Sequence, residues 1–234
     1  MKKNTFNFGI VEPRHHSRSP VRPTPDPVTG ALEIDPEIIL PAKGMPLEIG
    51  FFYSSRIISN DSLGRGRSMS VAPMIATTTS ALNYYRGDLL IFPLSLTSTV
   101  GTVKNYVGKD GSSYINTLSY DSTPDQYKEF YLDGTIATFE RILGTGTVYQ
   151  PIKVQDVNGN IQTYTYSTLT GESKLLKSIQ VPGGNLVTFN YSASSPTSLL
   201  SNVEDWGGRK WTFTYDANRN LLTFVTPEGC TTQY

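Results

Sequence analysis

Apolar and polar residues alternate along this chain in short runs, and no long stretch places apolar side chains at the spacing of an amphipathic helix. "ALEIDPEIIL", "MPLEIGFFYSS" and "LLIFPLSL" are apolar or alternating runs interrupted by proline and glycine, which predicts strands with edge positions or bends. "YLDGTIATFER" predicts a hairpin: Asp133-Gly134 suits a two-residue turn, with Tyr131 and Leu132 before it and Ile136 and Phe139 after it.

From residue 151 the pattern repeats. "VQDVNGNIQTYTY" (154–166), "IQVPGGNLVTFNY" (179–191) and "VEDWGGRKWTFTY" (203–215) each open with a β-branched residue, carry glycine five positions later and end aromatic-x-Tyr. A fourth copy, "FVTPEGCTTQY" (224–234), follows the same frame up to Tyr234. Gly159, Gly184, Gly208 and Gly229 recur at 25, 24 and 21 residues, a tandem repeat. Asn158-Gly159, Gly183-Gly184 and Gly207-Gly208 can take the positive φ of a tight turn, so each unit reads as a β-hairpin. On the outgoing strands Val187, Phe189 and Tyr191, and likewise Trp211, Phe213 and Tyr215, share one face. That aromatic face must be buried, and the neighbouring repeat is the partner the pattern supplies, so stacking of units is expected.

Three regions follow: a Pro-rich basic tail (1–27) expected to be disordered, a β region (28–150) and the hairpin repeats (151–234), the last incomplete. The tail carries Lys2, Lys3, Arg14, Arg18 and Arg22 against Glu12 and Asp26, a net charge of +3, and its prolines block regular structure. Over the whole chain 20 basic and 20 acidic side chains cancel, which excludes a global attraction to nucleic acid or anionic membrane. No apolar run is long enough to span a bilayer. Residues 4–11 offer no signal-peptide core after Lys2 and Lys3, so the chain reads as cytoplasmic as encoded. Cys230 is the single cysteine, which excludes an internal disulfide.

Candidate chemistry is sparse. His15 and His16 lie in the tail, without the further partners a metal or acid-base site requires. Cys230 follows a turn glycine with no histidine near it in sequence. Asp133, Asp156, Asp205 and Asp216 sit where turns favour Asp for its local hydrogen bonds, and no glycosidase pair can be named among them. "VGTVKNYVGKD" fails as a phosphate loop: Gly101 and Gly108 are too far apart, and Asp110 follows Lys109 where Ser or Thr would bind magnesium. Arg86-Gly87-Asp88 spells an adhesion tripeptide, a match common by chance. Trp211 falls on the aromatic face and reads as core, whereas Trp206 reads as the better surface candidate for stacking on a sugar. No catalytic, cofactor or metal residue is assigned, and none is expected of a non-enzyme.

"YDANRNLLTFVTPEG" resembles the YD repeat of rearrangement-hotspot (RHS) proteins through Tyr215, Asp216, Leu221, Val225 and Gly229, with Arg219 at the usual glycine position. Earlier copies carry Ser167 and Ser192 in place of the Asp. Upstream, Thr29-Gly30, Leu40-Pro41, Gly44, Leu47, Tyr53-Ser54-Ser55-Arg56 and Gly64-Arg65-Gly66 resemble the segment that precedes such repeats, with Arg67 where the family usually has Trp. The resemblance implies a mainly β fold, antiparallel hairpin repeats forming a curved or spiralling sheet, as part of a shell that encapsulates or presents a toxin or other C-terminal domain. The expected partners are the remainder of a longer shell, or a second copy through the uncapped repeat end. Family members are often exported or surface-associated. A carbohydrate-binding or cell-surface adhesion module is the alternative, with a glycan as partner, and a hydrolase is the third reading.

Overall fold

The computed structural model describes residues 31–33, 38–54, 60–78, 81–109, 113–141, 147–167, 175–192 and 198–234, with backbone alone at 31–33, 60 and 61. The tail (1–27), His15, His16, Thr29-Gly30, Ser55-Arg56 and Asp110 lie outside the described residues.

Every regular element among them is a strand: β1 (Ala31–Glu33), β2 (Ile38–Leu40), β3 (Leu47–Ile49), β4 (Phe51–Ser54), β5 (Asn60–Asp61), β6 (Gly64–Arg65), β7 (Arg67–Met69), β8 (Met74–Thr77), β9 (Leu82–Tyr85), β10 (Ile91–Val100) and β11 (Val103–Gly108). They continue with β12 (Thr117–Asp121), β13 (Gln126–Phe130), β14 (Ile136–Arg141), β15 (Val148–Gln155), β16 (Ile161–Tyr166), β17 (Leu176–Gln180), β18 (Leu186–Tyr191), β19 (Leu200–Glu204), β20 (Lys210–Tyr215), β21 (Leu221–Val225) and β22 (Thr231–Gln233). The fold is mainly β and antiparallel, as the sequence predicts.

β8 to β15 form a meander that closes on itself, because β15 pairs with β14 along one edge and with β8 along the other. The closure is short: Val148 faces Ala76 and Tyr149 faces Ile75. Beyond Pro151 the same edge of β15 is taken by β16, with Lys153 opposite Thr163 and Gln155 opposite Ile161. Pro151 has no N–H to give a ladder, so it sits where one neighbouring strand hands over to the next. From there β16 to β22 run side by side as an open strip.

The hairpins therefore lie edge to edge in one sheet instead of stacking face to face. Their aromatic face is covered by residues 38–51 and 63–71 of the same chain. Ile38, Leu40, Leu47, Ile49, Phe51 and Met69 form one core with Ile179, Val187, Phe189, Val203, Trp211, Phe213 and Phe224 of the strip. Phe51 packs on Phe213 and Phe224 with centroids 5.3 and 6.0 Å away. Apolar burial of this kind is the main stabilising term for such a sheet.

The turn at Asp133-Gly134 is longer than the two residues predicted, and the repeat turns share its form. In Asp205 to Arg209 the Asp205 N–H donates to the Arg209 carbonyl (3.1 Å) and the Gly208 N–H to the Asp205 carbonyl (3.0 Å). This is a three-residue connection whose third position takes positive φ. It recurs at 86–90, 131–135, 156–160, 181–185, 216–220 and 226–230. The third position is glycine in five of these seven turns, Leu89 (φ 70°) in one and Arg219 (φ 67°) in another. Arg219 thus adopts the conformation of the glycine it replaces, which costs an L-residue about 1–2 kcal/mol. Its carbonyl accepts the Arg65 N–H (3.1 Å), and Gly64 (φ 90°) lies so close to that carbonyl that a Cβ would collide with it. The turn is a docking point for the N-terminal segment.

The tyrosine that ends each repeat has a defined role. Tyr166, Tyr191 and Tyr215 donate their hydroxyls to the carbonyls of Pro151 (2.8 Å), Leu176 (2.8 Å) and Leu200 (3.0 Å), each fifteen residues upstream. Each also stands at a register shift against the following strand. The residue after the tyrosine then clasps the start of the next strand. Asp216 Oδ1 accepts the Asn220 N–H (2.7 Å), and the hydroxyls of Ser167 and Ser192 accept the N–H groups of Leu175 (3.1 Å) and Leu199 (3.2 Å). Ser167 and Ser192 therefore do the work that Asp216 does in the last of the three units. Tyr191→Phe removes one such hydroxyl bond and is expected to cost about 1 kcal/mol in urea unfolding; an unchanged midpoint would show that the bond contributes nothing.

Arg67 is 7% exposed. Its guanidinium lies over the rings of Tyr53 (4.9 Å) and Tyr234 (4.8 Å). Burial pulls its pKa below the ordinary arginine value. Its aliphatic stem and the two rings supply apolar packing around the buried charge.

Candidate functional site

The barrel interior is aromatic: Tyr84, Phe92, Tyr114, Tyr127, Phe139 and Tyr149 are all buried. Tyr127 meets Tyr149 edge-on at 4.7 Å, and Tyr84 meets Tyr114 at 5.3 Å. A polar cluster closes each end of this stack.

At one end β13 brings in a carboxylate. Tyr127 points inward, so strand alternation sends Lys128 out, Glu129 in and Phe130 out. Glu129 is 0% exposed and stands between Leu118 of β12 and Ala137 of β14. Its Oε1 accepts the Tyr114 hydroxyl (3.1 Å) and Asn116 Nδ2 (2.8 Å), and its Oε2 accepts the Tyr131 hydroxyl (2.8 Å). Burial raises the Glu129 pKa above the usual carboxylate range, while the hydrogen bonds from Asn116, Tyr131, Tyr84 and Tyr114 pull the other way. Burial also holds the phenols of Tyr84 and Tyr131 well above their ordinary value, so both remain protonated donors.

This cluster opens on a cavity of about 640 Å³. Its wall is shared by the barrel mouth, the first repeat turn around Asp156 and two N-terminal stretches, Gly44 to Phe52 and Ser70 to Pro73. That volume lies in the range of small-ligand sites.

At the opposite end Arg141 Nε meets Asp125 Oδ2 (2.8 Å) and the Tyr149 hydroxyl (2.6 Å), while Asp125 Oδ1 accepts from Tyr120 and Tyr149 (2.8 Å each). Desolvation would raise the Asp125 carboxyl, but the hydroxyls of Tyr149 and Tyr120 and the Arg141 guanidinium hold it below the usual range. Asp125 has φ 53°, so the network fastens a strained turn.

The residues singled out from sequence fall elsewhere. Asp156 and Asp205 bind their own turns: Asp156 Oδ1 accepts the N–H groups of Asn158 (2.9 Å) and Asn160 (2.8 Å), and Asp205 Oδ1 those of Gly207 and Arg209 (2.9 Å each). Hydrogen bonding from the Asn160 side chain holds Asp156 below the usual carboxylate range, and the Asn220 side chain does the same for Asp216. Asp133 likewise accepts the Thr135 N–H (2.8 Å). Asp133 and Asp156 both line the cavity, with these oxygens engaged in structural bonds. Cys230 is an exposed free thiol. Trp211 is buried in the strip core at 8% exposure, and Trp206 stands on its turn at 38%.

Arg86-Gly87-Asp88 folds back on itself, with Arg86 Nε 2.8 Å from Asp88 Oδ2. Gly87 is pressed against the Met69 carbonyl, with no room for a Cβ. Such a tripeptide is not displayed for a receptor. Glu129, Tyr84, Tyr114 and Asn116 do not enter the sequence reading, and Tyr131 enters it only as a flank of the Asp133-Gly134 turn. Strand parity carried from Tyr127 is the signal that finds Glu129; the others are assembled by closure of the barrel.

No protein-family model and no curated protein sequence matches the chain. Among solved structures it is similar to the crystal structure of TcdB2–TccC3 (TM-score 0.60, 11% identity, 87% of this chain and 16% of that chain). It is also similar to that of TcdB2–TccC3–Cdc42 (TM-score 0.57, 11% identity, 85% and 15%). The N-terminal domain of the effector protein SpvB from Salmonella typhimurium strain LT2 matches at TM-score 0.48 with 12% identity over 81% of this chain and 92% of that one. At these identities the likeness is one of fold. The chain spans about a sixth of the length of the TcdB2–TccC3 chain it matches.

Proposed function

We propose that the chain is a non-catalytic scaffold, a segment of an RHS-type β shell whose hairpin strip is continued by further repeats and which encloses or presents another polypeptide domain. The observation that carries this reading is the unit itself: the tyrosine-to-carbonyl bond recurs three times at the same fifteen-residue offset. The similarity to 16% of the TcdB2–TccC3 chain supports it, since the same fold there occupies part of a larger body. The engagement of Asp133, Asp156, Asp205 and Asp216 in turn bonds supports a structural role over hydrolysis.

Reading the coding sequence past Tyr234 tests the proposal. Further YD-type units, in frame or out of it, are expected; their absence in every frame would overturn it. With the aromatic face covered, the strip's outer edge at β22 is what remains for self-pairing. The isolated chain is therefore expected to self-associate at high concentration, and Gln233→Pro, which removes an edge N–H, to reduce this in light scattering. Equal association by both proteins would contradict edge pairing.

A further inference from the structure

Arg67 stands where the N-terminal segment meets the last strand of the strip. Thr232 faces Phe224 across the β21–β22 pair, so Thr232 and Tyr234 share the inner face with that buried ring. The Arg67 guanidinium lies over Tyr234 on this face and over Tyr53 beside it. Ring faces attract the charge but offer its N–H donors no oxygen. Among the described residues Arg67 has neither an ion pair nor a hydrogen-bond acceptor: the carboxylates of Asp88, Asp125, Asp205 and Glu204 serve Arg86, Arg141, Arg209 and Lys210. The groups that act on its charge are the phenols of Tyr234, Tyr215 and Tyr53. A guanidinium drawn out of water without a carboxylate destabilises the fold, and a carboxylate that reaches it recovers that cost. Its nitrogens can be reached, since none of them is both sealed from solvent and unpaired. The crevice beside them, between Leu63, Leu221 and Tyr234, measures about 10 Å³, room for about one water and too little for a free molecule. A carboxylate on the end of a side chain has a route to it. Tyr234 on the rim is 40% exposed, and a strand laid on the outer edge of β22 sets its inner-facing side chains about 5 Å from Thr232 and Tyr234.

We propose that Arg67 holds a carboxylate side chain presented on the inner face of the strand that joins β22. The partner surface is then an extended segment with Glu or Asp on an otherwise apolar face. Its ion pair would tie three pieces together: the N-terminal segment through Arg67, the strip through Tyr234 and the added strand. The inference rests on the scaffold reading, because it needs a strand at β22.

Calorimetric titration of the full chain with two acetylated and amidated strand peptides tests the proposal. One has the sequence Thr-Val-Thr-Glu-Thr-Val-Thr, and the other carries glutamine at the centre. The glutamate peptide is expected to bind at least about tenfold more tightly. To the Arg67→Met chain the two should bind alike. Equal affinity of both peptides for the unmodified chain would overturn the ion pair and leave the added strand standing. No saturation by either peptide up to about 10 mM would overturn the added strand, and the pair with it. Propionate, titrated in the same way, checks the source: binding as tight as that of the glutamate peptide would show a free-anion site and overturn the strand as the bearer of the carboxylate. The glutamate–glutamine comparison uses the unmodified chain, so it decides the matter whether or not the Arg67→Met protein folds.

Discussion

Replacing Glu129 by alanine is expected to destabilise the chain by about 3 kcal/mol or more, because the hydroxyls of Tyr114 and Tyr131 and the amide of Asn116 lose their buried acceptor together. Glutamine at the same position keeps the shape and stands in for the neutral acid, so Glu129→Gln should cost no more than about 1 kcal/mol at low pH. The sign of the pH dependence follows from burial, which raises the folded pKa of Glu129. Above about 4.3, the ordinary glutamate value, the unfolded chain releases a proton that the folded chain still holds. The stability contributed by that retained proton is full at low pH and is lost as pH rises through the folded value. The Glu129→Gln protein has no such titration, so it should gain on the unmodified chain as pH increases. Urea midpoints of both proteins between about pH 4 and about pH 8 check this; parallel profiles would contradict it.

Phe51→Ala is expected to cost about 3–5 kcal/mol. Phe51 is the N-terminal segment's contact with both Phe213 and Phe224, so its loss opens a cavity in the core and loosens the cover over the last two hairpins. The same substitution should expose the aromatic face of the strip and increase binding of an apolar dye. A loss below about 1 kcal/mol with no added dye binding would show that Phe51 and the strands around it do not cover the strip.

The hairpin frame was legible because its signals are local. Glycine or its equivalent three residues into each turn, and alternation along each outgoing strand, need no knowledge of distant residues, and Gly159, Gly184, Gly208 and Gly229 all hold positive φ. The length of the Asp133-Gly134 turn is not legible, since Asp-Gly suits both two-residue and three-residue connections. Serine for Asp at positions 167 and 192 was legible as a departure, but that a hydroxyl does the same clasping was not.

What sequence could not supply is pairing across distance. Closure of the barrel rests on Val148 and Tyr149 meeting Ala76 and Ile75, more than seventy residues earlier, and nothing local marks those positions. The cover over the aromatic face is similar: "IIL" and "LEI" read as strands, yet their burial against the repeats follows from the chain path. Glu129 was hidden because a charged residue in "QYKEF" reads as the solvent side, and parity from Tyr127 has to overrule that preference. Arg67 was visible as an anomaly, while the rings that receive it lie at positions 53 and 234.

The proposed scaffold requires an outer edge at β22 that further hairpins can extend. Along β22 the Tyr234 N–H donates inward to the Leu222 carbonyl (3.0 Å) and the Cys230 carbonyl accepts from Thr226 (2.9 Å), so the N–H groups of Thr231 and Gln233 point to the outer edge. Amide hydrogen exchange at these two residues, in the isolated chain and in a polypeptide extended by one further hairpin unit, measures this. Fast exchange in the isolated chain and strong protection in the longer one is the predicted result; equally fast exchange in both would contradict it.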